Sequence, residues 1–148
     1  VFYQNAIGTT AGILYHYTAP DNPINDFLVA GLSGRYGVYP DLFDADAMNA
    51  AIMVVEALKA TGGDTTGETL VQAMEGMTFE GPKGTIEIRT EDHVALQDMY
   101  ILTLENLDDP AFDFYSYVDT TRPEPPCLLP EDLQDRCGDL PIGSISGE

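Results

Sequence analysis

The chain has 148 residues, a net charge of −19 and 44% apolar side chains, enough for one ordinary domain core. The acidity argues against nucleic-acid phosphate or an anionic membrane surface as partner, since both call for clustered Lys and Arg. No apolar run approaches the roughly 18–20 residues of a membrane span.

The charge is uneven: residues 105–148 hold 11 acids and 2 bases against 14 and 4 in the preceding 104. This predicts a boundary near Asn106. The chain opens Val-Phe-Tyr-Gln rather than with Met, so its natural start is expected upstream, and a missing signal segment says nothing of compartment.

In chain order, residues 1–12 read as a loop or short helix end. Residues 12–17, Gly-Ile-Leu-Tyr-His-Tyr, form a β-prone run predicted to be a buried strand. Asn22 is placed to cap a helix with Pro23 at its first position, Ile24, Phe27, Leu28 and Leu32 at helical spacing, and Gly37 at its exit. Residues 39–43 connect to a long helix from Asp44 or Asp46 to about Ala60, with Met48, Ala51, Ile52 and Val55 as its apolar face. Thr65-Thr66-Gly67-Glu68 has the spacing of a capping box and opens a short helix that stops near Gly76.

Gly81-Pro82-Lys83-Gly84 is predicted to be a tight turn, Pro82 fixing φ and the glycines accepting positive φ. Ile86 and Ile88 alternate with polar residues as in a half-buried strand; a polar bend at 90–93 and a second strand at 99–104 follow. Aromatic alternation predicts one more strand at 113–118. Beyond it Pro123, Pro125, Pro126, Pro130 and Pro141 forbid long regular elements, so residues 119–148 are expected to wrap over a surface.

Cys127 and Cys137 are the only cysteines, and a disulfide between them would restrict the unfolded tail by ~2.8 kcal/mol. Two free thiols are the alternative. A histidine between two tyrosines, Tyr15-His16-Tyr17, is suited to offering hydrogen bonds to a ligand or to packing at a strand edge. Phe43 beside Asp44 and Asp46 could wall and pair a cationic, partly apolar ligand, although helix capping explains at least one of the acids. His93 reads as a turn residue. Neither a nucleophile–base spacing, a phosphate-cradling glycine motif nor a metal-ligand cluster emerges, so no cofactor or metal is expected.

The order of elements resembles the C-terminal part of the type I periplasmic substrate-binding proteins of ABC importers, the branched-chain amino acid-binding family. Glu-Gly-Met-Thr-Phe-Glu-Gly-Pro-Lys-Gly and Glu-Asp-His-Val-Ala-Leu-Gln-Asp-Met-Tyr carry the resemblance most specifically, over about residues 1–105. It implies an α/β fold: part of two lobes joined by hinge crossings, plus the proline-rich tail. Residues 1–17 would lead to a hinge from the C-terminal lobe, 18–78 supply helices of the N-terminal lobe, 79–105 return through the hinge, and 106–148 form the acidic tail. Thr18, Gly84 and Thr85 would lie at hinge crossings. The family's ligand contacts map onto Phe43, with Tyr15 and Tyr17 as less secure counterparts; His16, Asp44 and Asp46 are ligand candidates from their own chemistry, and the two acids have no firm family equivalent.

The resemblance further implies an extracytoplasmic (periplasmic, secreted or lipid-anchored) protein that is not an enzyme. It would capture a branched-chain amino acid, amide, urea or aromatic acid and deliver it to an ABC permease. The remaining N-terminal portion, possibly a separate chain, would be needed to complete the cleft. The rivals are a sensing receptor of the same fold and a metal-dependent hydrolase using Asp44, Asp46 and His16.

Overall fold

The computed structural model describes residues 3–144. After a 3-10 turn at Tyr3–Ala6, β1 (Thr10–Ile13) is followed by three helices, α1 (Pro23–Tyr36), α2 (Leu42–Ala60) and α3 (Gly67–Met74). The strands β2 (Thr78–Gly81), β3 (Gly84–Ile88), β4 (Ala95–Leu96), β5 (Met99–Leu104) and β6 (Tyr115–Thr121) come next, then a 3-10 turn at Glu131–Cys137. They form two antiparallel sheets, ordered β1-β5-β6 and β2-β3-β4.

The strand expected to lie buried at 12–17 is instead Thr10–Ile13, starting two residues earlier, ending four earlier and mostly exposed. β1 pairs with β5 from Thr10↔Thr103 to Ile13↔Tyr100, and the chain then leaves the sheet. The buried Tyr15 explains the departure, because its hydroxyl donates to Asn25 Oδ1 of α1 at 2.7 Å, a bond out of reach of a side chain continuing along β1. The last strand is also displaced, to Tyr115–Thr121, with a bulge opposite Ile101 and Leu102.

α1 starts and stops as its sequence predicts. Asn22 Oδ1 accepts from the backbone of Ile24 and Asn25 at 3.0 and 2.9 Å, while its Nδ2 donates to the Pro82 carbonyl at 3.0 Å. One side chain thus caps the helix and ties it to the β2–β3 turn. Gly37 ends it at φ 69°.

α2 begins earlier than expected, because its cap is Asp41. Asp41 Oδ1 accepts from the Phe43 and Asp44 backbones, and Asp44 Oδ2 returns a bond to the Asp41 N–H, an acidic capping box. The expected face of Met48, Ala51, Ile52 and Val55 is only partly turned inward. Ala45, Asn49 and Ala57 are buried, Ile52 and Met53 pack against the core, and Ala51 and Val55 are exposed. A helix apolar around most of its circumference gives periodicity little with which to choose a face. At α3 the expected capping box is not made. Thr66 caps without a side-chain bond, and Asp64 Oδ1 instead accepts from the Thr66 N–H at 2.8 Å.

Phe79, Ile86 and Ile88, one face of the β2–β3 hairpin, form the core with Ile52, Met53 and Met77. The hairpin closes through Gly81↔Gly84 with Pro82 and Lys83 between them. The two glycines serve different ends. Gly84 has φ +91°, whereas Gly81 has no room for a side chain: a Cβ there would stand 2.1 Å from Asn49 Oδ1.

The tail is pinned by the expected disulfide and by two arginines that the sequence reading did not single out. Cys127 and Cys137 form a disulfide. Arg89, buried at the end of β3, binds Asp92 with Nε at 2.8 Å and Nη2 at 2.5 Å and reaches the Pro125 carbonyl with Nη1 at 2.8 Å. Arg122 donates to the carbonyls of Thr85 at 2.7 Å and Leu96 at 3.0 Å. His93 turns the chain at φ 60°.

Candidate ligand-binding cleft

The departure of the chain from β1 builds the candidate site. A cleft of about 550 Å³ lies between the turn carrying Tyr15, His16 and Tyr17, the α1–α2 connection from Gly37 to Asp41, and the loop with Phe112, Phe114 and Tyr115. That volume suits a small molecule. Its walls are aromatic. Tyr17 and Tyr39 stack at 4.5 Å with an interplanar angle of 17°, His16 meets Tyr115 edge-on at 4.9 Å, and Phe112 meets Phe114 edge-on at 5.7 Å.

The polar atoms of Tyr15, His16 and Tyr17 are already bound within the protein, which fixes these three rings. Tyr15 holds Asn25 as described, and the Tyr17 hydroxyl donates to the Ala111 carbonyl at 2.5 Å. His16 Nε2 lies 3.0 Å from the Phe112 carbonyl, which only an N–H can satisfy, so Nδ1 accepts from the Thr18 hydroxyl at 2.8 Å. Burial pushes the His16 pKa below its ordinary value despite the Phe112 carbonyl, and pushes those of Tyr15 and Tyr17 up. At neutral pH the cleft therefore presents uncharged rings. The one carboxylate in its lining, Asp41, is engaged in capping α2. Such walls hold a flat or apolar group by contact and leave charge recognition to other parts of a complete site.

The other expected ligand residues lie outside this lining. Phe43, on the first turn of α2, is 78% exposed. Asp44 turns its carboxylate into the capping box. Asp46 faces Asn49, whose Nδ2 is 3.4 Å from its Oδ1, and lies near Lys83. Sequence reasoning passed over Tyr39, Phe112, Phe114 and Tyr115 as ligand-site residues. Their signal was aromatic density at the ends of connecting segments, which means little until the ends are seen to converge.

The expected hinge positions Thr18 and Gly84 come together at a second cavity of about 490 Å³, lined also by Asp21, Lys83, Asp98 and Tyr100. Thr85, next to Gly84, bonds Glu80 Oε1 at 2.7 Å. Lys83 is 1% exposed and its Nζ has no hydrogen-bond partner among the described residues. Burial lowers its pKa, opposed by the charges of Asp46 and Asp98.

The profile of the family described as periplasmic binding protein matches residues 3–109. The chain belongs to that family. Among solved structures, this periplasmic binding protein chain is similar to an ABC-type branched-chain amino acid transporter protein from Rhodopseudomonas palustris CGA009, with 37% identity and TM-score 0.73, covering 82% of this chain and 32% of that one. An amino acid ABC transporter substrate-binding protein from Pseudomonas fluorescens Pf-5 is 28% identical, TM-score 0.72, with 82% and 33% covered. A solute-binding protein from Rhodopseudomonas palustris BisB5, solved with 3,4-dihydroxybenzoic acid, is 30% identical, TM-score 0.68, with 79% and 31% covered. No curated protein matches the chain. The chain spans about a third of the length of these solved relatives and is thus part of the periplasmic-binding fold. The family consists of substrate-binding proteins of ABC transporters, which bind solutes rather than convert them, and implies a place outside the cytoplasm.

Proposed function

We propose that this chain is the C-terminal part of an extracytoplasmic solute-binding protein, periplasmic, secreted or lipid-anchored. It captures a small amino-acid-like or aromatic acid ligand between two lobes and delivers it to an ABC permease. A further N-terminal portion, in the same polypeptide or a separate one, completes the cleft. The single observation that supports this best is the cleft walled by the uncharged rings of Tyr15, His16, Tyr17 and Tyr39 in a chain of this family. Its stacked rings suit an aromatic or branched apolar side group, in keeping with one relative described as a branched-chain amino acid transporter and another solved in complex with 3,4-dihydroxybenzoic acid.

Carboxylates at the start of α2 would repel an acidic ligand if they faced it. Asp41 and Asp44 are instead engaged by backbone N–H groups of the helix cap, which offset part of their charge, and Asp44 and Asp46 lie outside the cleft lining, which lessens that objection to an aromatic acid. Binding would act by hinge closure, the ligand stabilising the closed state through contacts to both lobes, with Thr18, Gly84 and Thr85 at the crossings.

The test is a thermal-shift screen of the complete protein against branched-chain amino acids, amides, urea and hydroxybenzoates, followed by titration of any hit. A hit whose affinity falls at least tenfold in Tyr39→Ala supports the cleft. A hit unaffected by Tyr39→Ala places the ligand elsewhere, and the absence of any stabilising compound of these classes overturns the ligand assignment.

A further inference from the structure

Two non-glycine residues among those described have positive φ, His93 at 60° and Phe112 at 59°. Histidine is one of the residue types that tolerate the left-handed region, and His93 Nε2 has a partner in Glu75 Oε1 at 2.8 Å. Phe112 differs on both counts. In this region its Cβ crowds the following carbonyl, a cost that glycine would avoid in the same backbone. Its ring is 57% exposed, with the edge-on Phe114 as its one aromatic partner among the described residues. The fold itself gains little from a phenylalanine here.

The conformation is imposed by the bonds around it. The Phe112 N–H donates to the Asp109 carbonyl at 3.0 Å. Its carbonyl accepts from the Phe114 N–H at 3.0 Å and from His16 Nε2 at 3.0 Å. Asp109 Oδ1 accepts from the Ala111 N–H at 2.7 Å, and the Ala111 carbonyl holds the Tyr17 hydroxyl. Backbone strain persists where neighbours over-determine it, and such places cluster at ligand sites. Here two of the bonds come from His16 and Tyr17, residues of the cleft itself, and they keep Phe112 in the cleft lining.

Phe112 lies just beyond residues 3–109, so the matched family pattern does not call for it. The composition of the lining says what such a ring would meet. Seven of its eleven residues carry rings, His16 included, and Val38 is the one branched aliphatic. Contact between two rings adds about two- to tenfold in affinity beyond the area buried, a gain that a branched alkyl group does not receive.

We propose that Phe112 is the specificity-determining residue of this cleft, selecting an aromatic acid over a branched-chain amino acid, and that His16 positions it through the Phe112 carbonyl. The inference rests on the proposed solute-binding role and narrows its ligand class.

The experiment uses the complete protein, titrated calorimetrically with benzoate, 4-hydroxybenzoate and leucine, with the ligand-free Tm measured in parallel. The natural sequence should bind the better of the two aromatic acids more tightly than leucine. Phe112→Gly should weaken that acid at least fivefold, while its Tm falls by no more than three degrees, because relief of the strained φ offsets the greater freedom of glycine in the unfolded chain. Phe112→Leu keeps the strain and apolar bulk but loses the ring. It should weaken the aromatic acid about two- to tenfold and change leucine binding less than twofold. A smaller loss in Phe112→Gly overturns the proposal, and so does a larger fall in its Tm, which would make the ring a packing element.

His16→Leu removes the donor to the Phe112 carbonyl and should weaken the aromatic acid at least fivefold. His16→Gln, whose amide N–H can reach the same carbonyl, should weaken it less than half as much. Equal losses in the two variants overturn the positioning role. Preference of the natural sequence for leucine overturns the aromatic selection but leaves the solute-binding role standing where Tyr39→Ala weakens leucine. If none of the three compounds binds, the aromatic class falls, and an amide or urea hit in the wider screen keeps the solute-binding role.

Discussion

Arg89→Met should be among the most damaging single changes outside the hydrophobic core. The guanidinium makes two bonds to Asp92 and one to the Pro125 carbonyl, and the side chains of the pair are only 9% and 3% exposed. The variant leaves the Asp92 carboxylate buried with the Val94 N–H, at 3.2 Å, as its remaining donor among the described contacts. Breaking a buried pair from one side costs about 3–5 kcal/mol, far more than an exposed pair of the same geometry.

In urea, with a slope of about 2 kcal/mol/M, that lowers the midpoint by about 2 M. Adding Asp92→Asn removes the stranded charge and should recover at least half of the loss. The pH dependence gives an independent check. Arg89 holds the Asp92 pKa below 3.8, so its contribution is present above that pH and is lost as pH falls through the depressed folded value. This acid-side loss should vanish in Arg89→Met. A midpoint shift under 0.5 M, or a double variant no better than the single one, would refute the reasoning.

Further outcomes follow from the same structure. Gly81→Ala, which drives a methyl against Asn49 Oδ1, should cost about 1–3 kcal/mol in urea unfolding, with Asn49→Ala relieving part of it. Removing the disulfide by Cys127→Ser with Cys137→Ser should cost about 2.8 kcal/mol or less, with faster hydrogen exchange confined to the tail. His16 has a lowered folded pKa, so the unfolded chain takes the proton first. Stability should therefore fall as pH drops below 6.5 toward the folded value, and His16→Gln should flatten that limb of a thermal-shift profile. Tyr100 is pushed up to about 12 by burial, so its contribution holds below pH 10 and is lost as pH rises from there toward 12; Tyr100→Phe should remove that alkaline loss.

Local chemistry alone determined much of this protein. The cap at Asn22, the exit at Gly37, the turn at 81–84 and the alternation of Ile86 with Ile88 each depend on neighbours a few residues away, and each stands where the sequence put it. The disulfide, which a tail with little core of its own favoured over two free thiols, is formed as well. The family was legible because its turn and bend motifs are local as well.

What lies between distant segments had to come from the tertiary structure. Tyr15 leaves β1 for a bond to Asn25, and Tyr39 meets Tyr17 across the α1–α2 connection. The buried face of α2 is chosen by Phe79 and its neighbours rather than by the helix's own period. A helix apolar on several sides, or an aromatic in a loop, carries no information about which partner it will meet until the chain has brought that partner to it.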